Sequence, residues 1–344
     1  MPLDISAGAS IAVIHPRWRR WAAENLARGA TRAQVEAELV SAGVTEVAAR
    51  ELVAALVDDA AMSVARELAS RVAALELVLR LRLDRSAGPQ ARTTIERTRM
   101  PDAATFVARH WETSTPAIFT DVVTAWPAMT RWGRADLLER FADVDVEICV
   151  GRCTIDRPDA EWRSLRRTVS MREFLARIDA ASPANDVYMI ARNAGLCRPE
   201  LAPLLDDMVL PPDVFGPALV PRRLGLWIGG AGTHSPMHHD LDDSVLCQVV
   251  GRKRVRLAPP EAVTLLDGSR GVYSWWDPRD PEPIDAGPTP LLEFVLEPGE
   301  MLYIPSGWWH QVDALDFSIS VNALHFAWPN DHAWYLPGRA LRGR

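Results

Sequence analysis

The spacing of apolar residues divides the chain into a helical first quarter and a strand-rich remainder. Between residues 16 and 57 apolar positions recur at helical intervals, and glycine interrupts them twice. Pro16 suits the first turn of a helix ending at Gly29, Thr31 and Gln34 form a capping box for a second ending at Gly43, and Thr45 can cap a third. Val35, Leu39, Val44, Ala48, Leu52 and Leu56 are the expected core of this small bundle, with a structural or interaction role. Beyond it, Ala61, Ala65, Leu68, Val72, Leu75 and Leu79 alternate in steps of four and three. This predicts a heptad seam on one long helix over residues 61–82, which either packs on the neighbouring domain or pairs with a second copy as a homodimer. The break at Ser86-Ala-Gly-Pro-Gln90 sets the expected boundary, giving an all-α N-terminal domain over 1–88 and a second domain over 89–344.

After Thr94 the pattern changes to short mixed elements, with β-rich pieces at 117–119, 144–150 and 186–190. From residue 224 strand signals dominate, at 224–228, 245–250, 254–257, 292–296, 301–304 and 317–321, separated by Gly and Pro turns. Short strands at regular spacing predict a mainly β domain with flanking helices, a double-stranded β-helix of the cupin or jelly-roll type.

Composition narrows the partners more than the fold. With 344 residues and 48% apolar content, the chain can bury two cores, which excludes disorder and a disulfide-stapled miniprotein. Cys149, Cys153, Cys197 and Cys247 form no CxxC pair, so neither a zinc knuckle nor a disulfide framework is expected, and the cytoplasm fits best. Ile11-Ala-Val-Ile14 has no charged segment before it and Arg17 soon after, so no signal peptide is expected, and no apolar stretch approaches the ~20 residues of a membrane span. Of the net charge of −7, the part after residue 100 carries 24 basic against 33 acidic groups. A nucleic acid would bind against that field, so neither it nor a membrane is an expected partner. Arginine fills 37 of the 38 basic positions, and the only lysine is Lys253.

The candidate chemistry begins at Ser235-Pro-Met-His238-His-Asp240. On a strand, residues i and i+2 share a face, so His238 and Asp240 project together while His239 points away. Downstream, Met301–Ile304 reads as a strand, and a Pro/Gly corner over Pro305-Ser-Gly307 presents His310. Two imidazoles and one carboxylate form the facial triad suited to non-haem Fe(II), with sites left open for co-substrate and oxygen. For His310 alone a core histidine is the better reading; the HxD pair and the strand pattern reverse that balance. Pro236 between His234 and His238 argues against a helical zinc pair. His325 and His332 are expected to be structural or at the surface. A sugar-isomerase type of cupin would want HxH and a nearby glutamate, and here Asp240 holds the second position.

With Pro116-Ala-Ile118, Trp126-Pro-Ala128, Leu226-Trp-Ile-Gly229, the HxD, Gln248-Val-Val-Gly251-Arg-Lys253 and Tyr303-Ile-Pro305 through His310 in order, the chain over roughly 94–330 resembles the JmjC and cupin-like family of Fe(II)/2-oxoglutarate oxygenases. In pattern it is most similar to the asparaginyl hydroxylase that acts on the hypoxia-inducible factor. The resemblance implies that His238, Asp240 and His310 ligate iron and that Lys253 pairs with the distal carboxylate of 2-oxoglutarate. It also implies that Tyr188 binds this carboxylate and that Asn322 lies near the co-substrate. Ser235 stands where the family usually has threonine and Ser244 where it has asparagine; the first keeps a hydroxyl, the second changes how the iron-binding end of the co-substrate is held. The reaction so implied consumes O2 and 2-oxoglutarate and hydroxylates an unactivated C–H bond, with a peptide or protein side chain, which the helical module helps to hold, as the expected substrate. The alternatives are a small-molecule hydroxylase, acting on an amino acid or natural product, and a non-enzymatic iron-binding cupin. Trp275 and Trp276 either line the entrance or pin their loop to the barrel.

Overall fold

The computed structural model describes residues 14–86, 94–156, 158–181, 184–193, 195–262, 265, 271–274, 276–279 and 291–330. Of the expected break at Ser86-Ala-Gly-Pro-Gln90, Ser86 is still helical and residues 87–90 lie outside the described residues, as do Trp275 and His332. Two compact units divide the chain, Met1–Arg82 and Leu83–Arg344.

The first unit contains α1 (Pro16–Ala27), α2 (Arg32–Ser41), α3 (Glu46–Val57) and the long α4 (Ala60–Ser86). Local signals set their ends. Thr31 accepts from the Gln34 amide while the Gln34 side chain accepts from the Thr31 amide, and the Thr45 hydroxyl accepts from the Ala48 amide. Gly29 and Gly43, at φ of +97° and +94°, take the left-handed turn that follows a helix. Ala22, Leu26, Val35, Leu39, Ala48, Leu52 and Met62 are buried together, and Leu56 is partly buried against them. Each fully buried leucine contributes about 1.5–3 kcal/mol.

The second unit carries thirteen strands among the described residues: β1 (Glu96–Thr98), β2 (Ala117–Phe119), β3 (Asp145–Val150), β4 (Arg166–Ser170), β5 (Val187–Met189), β6 (Leu224–Gly229), β7 (His234–His239), β8 (Ser244–Val250), β9 (Lys253–Ala258), β10 (Leu292–Leu296), β11 (Met301–Ile304), β12 (Trp309–Ala314) and β13 (Ser318–Ala323). They form a large sheet in the order β1-β2-β11-β8-β13-β6-β5-β3-β4 and a small one in the order β10-β9-β12-β7, antiparallel except for the β1–β2 pair. This is the cupin-type β architecture with flanking helices.

Alternation along the strands sorts the side chains. Leu224, Leu226 and Ile228 of β6, Met301 and Tyr303 of β11, and Ile319 and Val321 of β13 join a core shared with Phe174, Phe215 and other residues of the flanking segments. The intervening positions turn to the space between the sheets. There Leu246, Val255, Leu257, Leu296, Leu302 and Ile304 form a second apolar cluster, while Gly225, Trp227 and Asn322 line a cavity. The barrel interior is therefore part plug and part site.

Two positions differ from expectation. His310 is not on the Pro/Gly corner; it is the second residue of β12, which pairs with both β7 and β9, and the corner precedes it. Asp240 lies one residue beyond the end of β7 instead of within it. The Gly307 amide donates to the Asp240 carbonyl at 2.9 Å, so the corner holds the Asp240 backbone while β12 carries His310.

Gly251 makes the turn from β8 into β9 at φ +70°, and a Cβ there would lie 2.2 Å from the Phe317 carbonyl oxygen. Gly251→Ala is therefore expected to cost about 2 kcal/mol, roughly 4–8 °C in Tm by calorimetry. An unchanged Tm would show that the turn relaxes freely.

Candidate metal centre and its cavity

Tyr188, Ser235, His238, Asp240, Ser244, Lys253, His310 and Asn322 all line one cavity of about 490 Å³. Six strands supply seven of them, β5, β7, β8, β9, β12 and β13, and the turn after β7 supplies Asp240.

His238, Asp240 and His310 bring one donor atom each to within 4.8 Å of one another. His238 and His310 are cross-strand neighbours on β7 and β12, with ring centroids 4.1 Å apart. His310 Nε2 lies 3.7 Å from the nearer Asp240 carboxylate oxygen. Between these neighbours and the Ser235–Val312 pair, β7 has one more residue than β12. That bulge at Pro236-Met237 lets Ser235 and His238, three residues apart, both face the cavity, while Met237 packs outward on Trp309. His239 also turns outward, edge-on to Trp309 at 4.8 Å.

The two imidazoles are held by the same device. His238 Nδ1 lies 2.7 Å from the Pro236 carbonyl oxygen, and His310 Nδ1 lies 3.0 Å from that of Trp308. A carbonyl only accepts, so Nδ1 carries a proton in both rings, which leaves Nε2 as the nitrogen available to a metal. Burial, and then the neighbouring His238, push the His310 pKa down, which keeps it neutral. Neutral imidazoles and a carboxylate are the donor set that an M²⁺ ion requires.

Deeper in the cavity, Lys253 is 1% exposed. Its Nζ lies 5.8 Å from the centre of the Trp227 ring, and among the described residues no carboxylate pairs with it. Burial lowers its pKa from 10.5 to about 7. Arg152 and Arg256 are also buried, but each is compensated: Arg152 by Asp159 at 2.8 Å, Arg256 by Glu293 and Asp313, both at 2.6 Å. Tyr188 faces the same space, and burial raises its phenol well above the ordinary value, so it remains a neutral donor; the Ser235 hydroxyl bonds to it. Asn322 Oδ1 accepts from Trp227 Nε1 at 3.0 Å, which fixes the amide. Opposite it Gly225 has no alternative, because a Cβ would lie 2.2 Å from that oxygen.

Two contributors escape sequence reasoning. Trp227 touches Tyr188, Lys253 and Asn322 at once. The sequence places it in the Leu226-Trp-Ile-Gly229 motif and on the strand face of Gly225, but gives it no role. Tyr273 stacks on His238 at 5.6 Å and donates its hydroxyl to the Asp159 carbonyl at 3.0 Å. Backbone bonds from the His239 amide to Val272 and from the Ser274 amide to Met237 add the 272–274 segment to the free edge of β7. No sequence pattern marks that pairing. Trp276 packs on the Met237–Trp309 cluster, which pins its loop to the barrel. His234 is tied to Asp313 at 3.1 Å, and His325 is buried near Phe215; neither joins the triad.

The chain matches the family described as Cupin-like domain over residues 103–329. It is 32% identical over 243 residues to "Lysine-specific demethylase JMJ30" of Arabidopsis thaliana, covering 66% of this chain and 52% of that protein. It is 29% identical over 243 residues to "Lysine-specific demethylase 8" of Xenopus tropicalis, covering 67% and 52%, and 31% identical over 237 residues to human "2-oxoglutarate and iron-dependent oxygenase JMJD4", covering 60% and 55%. The matched part spans about half the length of these relatives. Among the described residues no helix is long and apolar enough to cross a membrane.

An unpaired buried ammonium has a measurable cost. Because the folded-state pKa of Lys253 lies below its ordinary value, between about pH 7 and 10.5 the unfolded chain keeps a proton that the folded chain has released. Stability from this group therefore rises with pH across that window, and the deficit is full below it. Lys253→Met is expected to raise Tm by several degrees at about pH 6, with the gain shrinking toward about pH 10, in the absence of any dicarboxylate. A gain independent of pH would show that lysine's charge is not the cause.

Proposed function

The chain belongs to the JmjC and cupin-like family of iron- and 2-oxoglutarate-dependent oxygenases, and we propose that it hydroxylates an unactivated C–H bond on a peptide or protein side chain. The observation that carries this reading is Lys253: a buried cation with no partner carboxylate among the described residues, lining the same cavity as two imidazoles and a carboxylate. That pairing of charges fits a co-substrate with one end on a metal and an anionic end elsewhere.

His238, Asp240 and His310 would hold Fe(II). The bound metal supplies activation of O2 coupled to the oxidative decarboxylation of 2-oxoglutarate to succinate and CO2. The protein's own residues do the rest by placement. Lys253 takes the distal carboxylate of the co-substrate as a compact point charge, where the broader fork of arginine needs more room. Tyr188, neutral and joined to Ser235, donates a hydrogen bond to the same end. Trp227 keeps Asn322 oriented toward the co-substrate. The ring of Tyr273 covers one side of His238 and keeps water from that face. Ser244, with a shorter reach than the asparagine usual in the family, leaves more space at the iron-binding end.

Several features favour a polypeptide substrate. The relatives carry the names of lysine demethylases and of an oxygenase, and the motif pattern resembles a hydroxylase of a protein side chain. A cavity of about 490 Å³ shared with the co-substrate has room for one side chain from an extended segment.

His238→Ala and Asp240→Ala are each expected to abolish Fe(II) binding, read by anaerobic metal titration. Lys253→Met is expected to keep the metal and weaken 2-oxoglutarate binding by about 30-fold or more. If Lys253→Met bound and turned over 2-oxoglutarate like the parent protein, the assignment of that residue would fail. Incubation with candidate peptides and mass spectrometry then separates the outcomes: one retained oxygen for hydroxylation, one methyl lost as formaldehyde for demethylation. Modification of free amino acids with none of peptides would select the small-molecule reading, and neither metal binding nor succinate release would select the non-enzymatic one.

A further inference from the structure

Helix α4 leaves a row of large apolar side chains in water. Leu68, Val72 and Leu75 are 55%, 52% and 65% exposed, and Val64 and Val78 are 57% and 55% exposed. One exposed leucine calls for no explanation, but a continuous row along a helix does. The start of the same helix is anchored: Met62 is buried in the bundle core, and Arg66 Nε donates to the Leu26 carbonyl at 3.2 Å.

We propose that this row is the interface of a parallel, in-register, two-stranded coiled coil between two copies of the chain. In heptad terms Ala65, Val72 and Leu79 occupy the a positions and Ala61, Leu68 and Leu75 the d positions, and the next d position, Arg82, ends the apolar seam. At the centre of the seam Val72 at a lies between Leu68 and Leu75 at d, and a β-branched residue at a with leucine at d favours two parallel strands. The flanking charges point the same way. Arg71 is at g and Glu76 at the following e, and in a parallel pair a g residue faces the e residue five positions on in the other helix. Arg71 of each copy thus meets Glu76 of the other, and one sequence supplies both halves of two symmetric ion pairs. Within a single copy, among the described residues, Arg71 pairs with Glu67 at 4.0 Å, with the two side chains 66% and 73% exposed. An antiparallel pair would set g against g and e against e, with no such match.

The remaining g positions, Val64 and Val78, and the e positions Ala69 and Leu83 widen the seam with apolar surface. From Ala61 to Leu79 the seam rises about 27 Å, short for a free coiled-coil peptide. Here the helix grows from a folded bundle, so the nucleation cost that limits short coils is already met. Leu77 and Leu81 fall at f and c, on the far side, and provide an internal control.

The test uses the full-length chain in light scattering at tens of micromolar. The expected particle has twice the 38.1 kDa chain mass. Leu75→Arg is expected to give a monomer with unchanged helical circular dichroism, and Leu77→Arg to stay dimeric. Arg71→Glu should raise the dimer Kd by about tenfold, and adding Glu76→Arg should restore it. In a Cys153→Ser, Cys197→Ser background, Leu75→Cys should form a disulfide with its own counterpart on mild oxidation, which an antiparallel pair does not allow. A monomeric parent protein, a dimer indifferent to Leu75→Arg, or no Leu75→Cys cross-link in a dimer each overturns the proposal. A monomer in which Leu75→Arg lowers the Tm would instead assign the row to another part of the same chain.

Discussion

A cation taken out of water without a counter-ion is the constraint around which the barrel interior is organised. Among the described residues three lysine or arginine side chains are buried, and the two arginines are neutralised within the protein while Lys253 is not. Desolvation of an ammonium costs several kcal/mol, and a fold stable only by about 5–15 kcal/mol retains such a group where a ligand compensates it. The sheet geometry follows from that need. Lys253 is the first residue of β9, and Val255 and Leu257 continue the same face into the apolar cluster, so one strand carries both the charge and the plug that keeps water from it. Trp227 completes the wall with its ring toward the ammonium and its indole N–H spent on Asn322.

The triad is a matter of register. In an antiparallel pair a one-residue slip would turn His310 outward and bring Trp309 into the cavity. The bulge in β7 prevents that by fixing which residues oppose which, and the residues it displaces serve the other face, where Met237 and Trp309 pack with Ala258 and Ala262. Outside this layer, Arg256, Asp313, His234, Arg279 and Asp277 form a connected set of ion pairs and hydrogen bonds that joins β9, β12 and β7 to the 276–279 segment. The ionic network stands on one side of the small sheet and the uncompensated ammonium on the other.

Most of this was legible where it depends on local alternation or capping. The capping box at Thr31, the cap at Thr45, the HxD pair and the strands from 224 on carry their meaning within a few residues, and the single lysine stands out against the other 37 basic positions. Three features were not. The strand at Trp309–Ala314 was hidden because Pro305-Ser-Gly307 reads as a corner, although Trp309, Gln311 and Asp313 alternate with His310 and Val312 as a strand with two differently used faces should. Asp240 was placed in the strand because HxD fits a two-residue period, whereas its backbone is held by Gly307, a long-range contact with no sequence signature. Tyr273 was invisible for the same reason: it reaches His238 by pairing with a sheet edge, and edges exist only once the sheet has formed.

That distinction separates the three proposed ligands physically. Each imidazole is oriented by a carbonyl two residues before it, Pro236 for His238 and Trp308 for His310, so both rings are set by their own strands whether or not a metal is bound. The Asp240 side chain, 40% exposed against 6% for His310 and lying past the strand end, has no comparable hold on its carboxylate among the described residues. Two fixed nitrogens and one adjustable oxygen would divide the work: the rings would define where an ion sits, since outer hydrogen bonds fix tautomer and direction, and the carboxylate would supply charge and adapt. Most of the ordering cost of the site is thereby met during folding, by backbone groups that would need partners in any case, and metal binding has only a single side chain left to arrange.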